Sequence, residues 1–376
     1  MVIFLCGRCA SYPDNATLLQ IDDAVGYRFN NRTLGTNNVE YFDKHIFHGH
    51  TFADMRQQRP MILLNATDMG IGSQFSFVQS YFDLICSDLS QFLVARAVTA
   101  SLSFTPVFTP ITLKNYNDGR CGYTTPLWAQ DALEAGVETN PAVYAAAQDV
   151  LSYEAIDKRP YIHLLDSGIS DNMGIRAPKL AIVLRELPAS QIDRGEEGIV
   201  KKLVVILVDA KPKTYFKGDL KAKPPGALTS VQTAASTPLA NYSYETVNLI
   251  NRNVRDAREG LDRYLRARNG CDVHARAVCK QVEIGKGCNE RVSNSCFFEL
   301  GVTADKQPME LDIYLIHVSF ESIDDRVRRE KFQSIPTKLE LPREDVDLLI
   351  DIAPELLHED PDFHQLLQDL DARIVD

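Results

Sequence analysis

Three short runs of mainly apolar residues set the strongest limit on how this chain can fold. They lie at Met61–Leu64, Tyr161–Leu165 and Leu203–Val208, and each is as long as a strand and too short for a typical helix. Runs of this kind are typical of strands that are covered on both faces, as the strands of parallel sheets are. A fourth strand is predicted at Leu311–Phe320, and an edge strand or extended connection around Pro110.

Segments with helical spacing lie between these runs. Ala129–Tyr153 has such spacing with a break at Pro141, and two short helices are predicted near the end of the chain, one opened by Pro342 and one at 363–370. A longer stripe of apolar residues at helical spacing runs through Val247, Ile250, Val254, Ala257, Leu261 and Leu265. Strands that alternate with helices predict an α/β fold with a mainly parallel sheet flanked by helices.

The composition excludes two classes of protein. The 376 residues carry a formal net charge of -11, whereas a nucleic-acid partner requires a concentrated basic face. No apolar run approaches the roughly 20 residues that a membrane-spanning helix needs. With 45% hydrophobic and 24% charged residues, the chain has an ordinary globular composition.

Eight cysteines bear on the compartment. Four of them, spaced too widely for a zinc knuckle, fall in a polar insertion near 270–297: Cys271, Cys279, Cys288 and Cys296. Two disulfides there would indicate an oxidising compartment, and four reduced thiols are the alternative. The Cys6-Gly7-Arg8-Cys9 pair has redox or half-metal-site spacing, but no thioredoxin-like pattern follows it.

The start of the chain has no clear structural pattern. Residues 1–38 are predicted to be loop or poorly ordered, and the opening residues lack the basic region and the cleavage site of a signal peptide. If the protein is exported, we therefore expect the exporting segment to lie outside this sequence.

The stretch HLLDSGISDNMG, residues 163–174, draws attention to one carboxylate. Asp166 follows an apolar strand directly and precedes a turn that contains Gly168. Ligands of parallel α/β sheets sit at the carboxyl ends of strands, so this position predicts a functional group. A helix cap or a turn cap is the alternative role for Asp166.

Several segments in order resemble the downstream part of bacterial patatin-like phospholipases. They are EYFDKHIFHGHTFADM, RPMILLNATDMGIGSQFSFVQSYFD, AVTASLSFTPVFTPITLKNY, HLLDSGISDNMGIRAP, TPLANYSYETVNLI and IPTKLELP. The resemblance covers most of residues 40–370 and implies a three-layer patatin-like fold. Residues 39–376 would then be a partial phospholipase domain that lacks its N-terminal strand, nucleophile elbow and helix.

The resemblance also assigns roles to the residues of the stretch at 163–174. It implies that Asp166 is the acid of a Ser-Asp dyad, which would activate a serine to attack an acyl ester such as a phospholipid. Gly168 would allow a sharp turn, and Asp171 or Asn172 would bond the amides of the following turn. Ser167 departs from the family, where Gly or Ala is usual at this position.

The other half of the dyad is missing from this sequence. No serine has glycine at both the second position before it and the second position after it, and no two glycines are adjacent, so the G-x-S-x-G elbow and the oxyanion loop are absent. Loss of the nucleophile costs roughly 10⁶-fold in turnover, so we expect the chain as written to be inactive. A truncated gene or a misassigned start would explain the absence, with residues 1–38 replacing part of the true upstream region. The full-length form would belong to the bacterial envelope or be secreted.

Two other readings remain open. A phospholipase scaffold without its nucleophile is consistent with a pseudoenzyme that binds lipid, through peripheral membrane contact, or a protein partner. The cluster of His45, His48, His50 and Asp54 is consistent with a metal site, although its spacing does not place the histidines on one helical face. The phospholipase reading implies no metal and no organic cofactor.

Overall fold

The structure, a computed structural model, describes residues 3–4, 39–55, 61–104, 109–175, 201–212, 222, 226–281, 288–300, 312–336 and 341–372. The chain divides into two compact units. The first takes in residues 1–190, 208–244 and 325–338, and the second takes in 191–207, 245–324 and 339–376.

The described strands are β1 (Ile3–Phe4), β2 (Met61–Ile62), β3 (Asn65–Asp68), β4 (Gln74–Ser76), β5 (Ile111–Lys114), β6 (Tyr161–Leu165), β7 (Lys202–Asp209) and β8 (Asp312–Ser319). The described α-helices are α1 (Phe52–Met55), α2 (Gln79–Leu84), α3 (Val94–Ser101), α4 (Leu127–Ala135), α5 (Pro141–Glu154), α6 (Gly168–Asp171), α7 (Ala227–Gln281), α8 (Cys288–Glu299), α9 (Arg326–Gln333), α10 (Arg343–Glu359) and α11 (Pro361–Asp369). A π-helix at Asp43–Phe47 and 3₁₀ turns at Leu89–Gln91 and Phe320–Ser322 complete the set.

The first unit is built on a four-stranded sheet in the order β4-β3-β6-β5. All three strand pairs are antiparallel, with Thr67 opposite Leu165 and Ile111 opposite Leu164. The mainly parallel three-layer sheet predicted from the sequence is therefore wrong. The edge position predicted for the segment around Pro110 is present, because β5 is an outer strand of this sheet.

The connections explain why the parallel prediction failed. Strands β3 and β4 are joined by residues 69–73, far fewer than the dozen or more residues that a parallel crossover needs. Between β5 and β6 the chain forms two packed helices, α4 and α5, instead of one. We infer that the second helix retraces the first, so the chain re-enters the sheet at the end where it left.

Exposed and buried side chains alternate along β6, as they do in a sheet that has one face open to solvent. Tyr161 is 43% exposed, whereas Ile162 and Leu164 are completely buried. The apolar side chains of Tyr161 and Leu165 made this alternating strand look continuous in the sequence. The break predicted at Pro141 is present: Pro141 opens α5, and Asn140 caps it by accepting a hydrogen bond from the Val143 amide.

Phenylalanine rings fill the core of the first unit beneath the sheet. The Phe77 and Phe92 ring centroids are 5.6 Å apart, and those of Phe82 and Phe92 are 5.3 Å apart, distances typical of packed aromatic pairs. Phe52 and Phe75 belong to the same buried cluster. A disulfide that the sequence did not predict joins Cys86 to Cys121 in this unit.

The second unit contains a two-stranded parallel sheet of β7 and β8. Its strands lie where the sequence placed them, and α7 and α8 provide the long connection that parallel pairing requires. Side chains bond the other edge of β8: the Arg258 guanidinium donates to the Ile313 carbonyl, and the Leu315 and His317 amides donate to Asp362 and Asp360. These contacts satisfy edge groups that would otherwise be open to another strand.

The cysteine-rich insertion is helical, with two nested disulfides as predicted. Cys271 pairs with Cys296, and Cys279 pairs with Cys288, so the bonds join the C-terminal part of α7 to α8. The three disulfides found among the described residues fit an extracytoplasmic protein.

Two sequence predictions concern segments that the structure covers only in part. Residues 1–38 lie outside the described residues, except for β1, which pairs antiparallel with β2. The Cys6–Cys9 pair also lies outside them. No helix among the described residues is long and apolar enough to cross a membrane.

Candidate functional site

Asp166 lies immediately after β6, between that strand and α6. Its amide donates to the Ser103 carbonyl at 3.0 Å, and the Ser167 amide donates to the Ser101 carbonyl at 3.2 Å. Ser101 is the last residue of α3 and Ser103 follows two residues later. The end of one helix therefore fixes the backbone on which the carboxylate is mounted.

The Asp166 carboxylate is anchored through one of its oxygens. Oδ1 accepts a hydrogen bond of 2.7 Å from the Gly168 amide. Among the described residues, no group forms a hydrogen bond with Oδ2. Burial raises the pKa of the Asp166 carboxyl above its ordinary value, and the Gly168 amide offsets part of that rise.

Position 168 requires glycine because two side-chain oxygens approach its Cα too closely to leave room for a Cβ atom. Its amide begins α6, and a Cβ atom at this position would lie 2.9 Å from Asp166 Oδ1 and 2.9 Å from Asn172 Oδ1. The sharp turn expected at Gly168 is replaced by the first residue of a short helix. The glycine of this stretch that adopts a left-handed conformation is Gly174, with φ of 67°.

Asp171 and Asn172 lie at the end of α6, next to the predicted turn. Asp171 is 5% exposed. The sequence predicted that its side chain would bond the amides of the following turn, but it is the Asp171 main-chain carbonyl that accepts from the Gly174 amide, at 3.1 Å. The Asn172 amide group lies over Gly168, close to the Asp166 carboxylate. The structure therefore brings Asp166, Gly168 and Asn172 together.

Thr67 also belongs to this site, although no local feature of the sequence indicates it. The Thr67 hydroxyl donates to the Asp166 carbonyl at 2.7 Å and accepts from the Ser170 amide at 3.1 Å. Thr67 is 1% exposed and lies 99 positions before Asp166 in the chain. The antiparallel pairing of β3 with β6 brings the two together, and a parallel arrangement would not have predicted that contact.

Serine hydroxyls surround Asp166 without bonding its carboxylate. Ser167 Oγ lies 3.0 Å from Ser101 Oγ, and Ser170 Oγ lies 2.8 Å from Thr67 Oγ1. The buried Ser103 hydroxyl donates to the Thr99 carbonyl at 2.7 Å. In the described part of the chain, no serine forms the dyad contact that the sequence resemblance implies.

A second polar cluster is formed around Asp68, the last residue of β3 and the neighbour of Thr67 in the chain. The Asp68 carboxylate is completely buried and accepts from the Tyr153 hydroxyl at 2.8 Å, from the Gly70 amide at 2.8 Å and from the Arg159 guanidinium. Burial raises the pKa of Tyr153 well above its ordinary value. Because the Arg159 charge and three donors satisfy Asp68, this cluster is suited to hold β3 against α5, not to react.

The histidine cluster does not form a metal site in the structure. Asp54 accepts from the Thr51 amide at 2.8 Å, and His50 Nδ1 lies 3.4 Å from the Asp54 carboxylate. Among the described residues, no three His, Cys, Asp or Glu side chains are grouped so that they could hold a metal ion.

Comparisons of the chain with protein-family models, with curated proteins and with solved structures found no match.

Proposed function

We propose that this chain carries the acid half of a serine acyl-ester hydrolase site, with Asp166 as the base and a phospholipid or another acyl ester as the substrate. The geometry of the Asp166 carboxylate carries this proposal. One oxygen is fixed by the Gly168 amide, while the other has no hydrogen-bond partner among the described residues. A general base needs such a free oxygen to accept the proton of a nucleophile.

The raised pKa supports the same role. A carboxylate in water is a weak base, and partial removal from water strengthens it. Burial raises the pKa of Asp166, and the effect is not cancelled by a neighbouring cation. Perturbed carboxyls of this kind cluster at functional sites.

The resemblance to patatin-like phospholipases supplies the reaction class and the substrate class. In that class a serine hydroxyl loses its proton to the aspartate while it attacks the ester carbonyl, and the bond to the alcohol breaks as the aspartic acid returns that proton to the departing alcohol. Water, with the aspartate as base, then hydrolyses the acyl-enzyme to release the fatty acid and regenerate the serine. This sequence contains no G-x-S-x-G elbow, so Asp166 would need a nucleophile from outside it. We propose that the full-length form acts in lipid degradation at the bacterial envelope or after secretion, in peripheral contact with lipid.

One observation favours a second function, that of a pseudoenzyme that binds lipid or a protein. In the described part of the chain, no serine hydroxyl bonds the Asp166 carboxylate, although several serines lie near it. A scaffold of this kind would keep its binding surface and lack turnover.

Ester hydrolysis in matched proteins tests the proposal. The chain as written and a version extended upstream to the next in-frame start are assayed on a short-chain p-nitrophenyl ester and on phospholipid vesicles. Each is compared with its Asp166→Asn variant and with Asp83→Asn as the control. Burial also raises the pKa of Asp83, but that carboxylate lies on α2 and accepts from Gln79.

We expect no turnover by the chain as written, and turnover by the extended protein that Asp166→Asn reduces by several orders of magnitude. Asp83→Asn should retain activity. Vesicle binding without turnover in both lengths would support the pseudoenzyme. Asp166-dependent turnover by the chain as written would show that it contains its own nucleophile, and activity that survives Asp166→Asn would refute the role of Asp166.

A further inference from the structure

We infer that Thr67 is the positioning residue of Asp166, and that it acts by capping α6 from a neighbouring strand. This inference rests on the role proposed for Asp166. It concerns how the carboxylate is held and not which ester it attacks.

The first step is the state of helix α6. The first amides of any helix have no partner within the helix, and the N-cap side chain usually accepts from one of them. Ser167 occupies the N-cap position of α6 but makes no side-chain cap bond. Its hydroxyl is instead 3.0 Å from Ser101 Oγ.

Thr67 supplies the missing cap. The amide at the third helical position, that of Ser170, donates to Thr67 Oγ1 at 3.1 Å. The same hydroxyl donates to the Asp166 carbonyl at 2.7 Å. The Ser170 hydroxyl lies 2.8 Å from Thr67 Oγ1 and 3.5 Å from the Ser167 carbonyl. Since the single proton of Thr67 goes to the Asp166 carbonyl, we assign the Ser170 hydroxyl as the donor in the shorter of its two contacts, the one with Thr67.

These bonds use the full capacity of one side chain. A hydroxyl can donate once and accept twice, and all three of these bonds go to the Asp166–Ser170 turn. Thr67 is 1% exposed, so water does not compete for them. Because Thr67 lies opposite Leu165 in the sheet, it ties both ends of the turn to a strand with fixed register. The Gly168 amide, which anchors Asp166 Oδ1, lies between the two tied ends.

The experiment follows the Asp166 carboxyl directly in the intact chain and needs no nucleophile. Protein carrying ¹³C-carboxyl aspartate is titrated by NMR, and the Asp166 resonance is assigned by its loss in Asp166→Asn. Three variants are compared with the parent: Thr67→Val, which removes the hydroxyl and keeps the shape; Thr67→Ser, which keeps the hydroxyl; and Thr99→Val as the control. Thr99 is also 1% exposed, but its hydroxyl donates to the Ala95 carbonyl within α3.

We expect Thr67→Val to release the turn to water and move the Asp166 midpoint toward its ordinary value of 3.8. Thr67→Ser should restore the parental midpoint, and Thr99→Val should leave it unchanged. An unchanged midpoint in folded Thr67→Val, or an equal shift in Thr99→Val, would overturn the inference.

Hydrogen exchange of the parent provides a test that does not depend on a folded variant. The Ser170 amide should exchange at least about tenfold more slowly than an open amide, the factor that one buried hydrogen bond of about 1.4 kcal/mol gives. Exchange at the open rate would refute the cap. If the midpoint moves in Thr67→Val while ester assays show no role for Asp166, the positioning stands and the proposed catalytic function fails.

Discussion

Removal of Arg159 should destabilise the first unit strongly, because it leaves the Asp68 carboxylate buried without its countercharge. The Asp68 side chain is 0% exposed and that of Arg159 is 15% exposed. Loss of one partner of such a buried pair costs about 3–5 kcal/mol. Arg159→Met retains most of the apolar stem, so we expect a fall of that size in the free energy of unfolding.

The double-mutant cycle separates the ion pair from the packing of Arg159. Asp68→Asn removes the charge and keeps one of the two acceptor oxygens, which the Tyr153 hydroxyl and the Gly70 amide use separately in the parent. In the background of Asp68→Asn, Arg159→Met no longer leaves a bare carboxylate. The cost of the double variant should therefore be smaller than the sum of the single costs by about 1–3 kcal/mol.

Urea unfolding followed by tryptophan fluorescence measures this unit, because the single tryptophan of the chain, Trp128, lies in α4. The midpoint should fall with little change in the slope. Arg120→Met is the control, since Arg120 pairs with Asp118 at the surface with 85% of its side chain exposed, and solvent screening leaves such pairs little effect on stability. A coupling energy below about 0.5 kcal/mol between Asp68 and Arg159 would refute the reasoning.

Four further predictions follow from the structure. Asp166→Asn should stabilise the protein at neutral pH, because burial raises the pKa of Asp166 and the native state therefore disfavours its charged form. The gain in the free energy of unfolding, measured by urea titration, should vanish below the ordinary carboxyl pKa, and an equal gain at acid pH would contradict this. Gly168→Ala should lower the free energy of unfolding by about 1–3 kcal/mol, because the new methyl group overlaps Asp166. Gly174→Ala should lower it by about 1 kcal/mol, because alanine disfavours a left-handed φ, and only Gly168→Ala should shift the NMR titration of Asp166. Replacing Cys271 and Cys296 by alanine, which opens a loop with separation 25, should cost about 3.5 kcal/mol, and replacing Cys279 and Cys288, with separation 9, should cost about 2.5 kcal/mol. Helical circular dichroism during unfolding measures both costs, and the reverse order would contradict the loop argument. Asp360→Ala removes the hydrogen bonds that Asp360 accepts from the Asp362, Phe363 and His317 amides, so it should destabilise α11 and expose the edge of β8. Light scattering should then detect self-association through that edge, and an Asp351→Ala control should show none.

Local sequence signals predicted where strands and helices lie along the chain, but they could not predict which strands pair or in which direction. The runs at Tyr161–Leu165 and Leu203–Val208 and the break at Pro141 correspond to strands and a helix boundary in the structure. The strand directions were wrong because they depend on connections, such as the short turn between β3 and β4. One parallel pair, that of β7 and β8, did form where long helices separate its strands.

Only the part of the candidate site that lies in the segment around Asp166 could be predicted from the sequence. The position of Asp166 after a strand and the presence of a glycine two residues later are local features of the sequence. Thr67 and Ser103 contact the Asp166 segment through tertiary structure, and an ordinary threonine within NATD gives no signal of that role. The Cys86–Cys121 disulfide was missed for the same reason, because its two cysteines lie 35 positions apart.

The Asp166 segment is held by more contacts than packing alone requires. Its amide, its carbonyl and one carboxylate oxygen each have a partner, supplied by Ser103, Thr67 and Gly168. Asp68 differs from it, because both of its carboxylate oxygens accept hydrogen bonds and one of them also pairs with Arg159, whereas burial raises the pKa of Asp166 without a compensating cation. A fixed backbone that presents one oxygen with no hydrogen-bond partner among the described residues, in a partly buried setting, suits the general base proposed above, and it costs stability at neutral pH. The stability gain expected for Asp166→Asn therefore tests whether this carboxylate is held in a setting that disfavours its charge, and the ester assay with the Asp83→Asn control tests whether that setting serves catalysis.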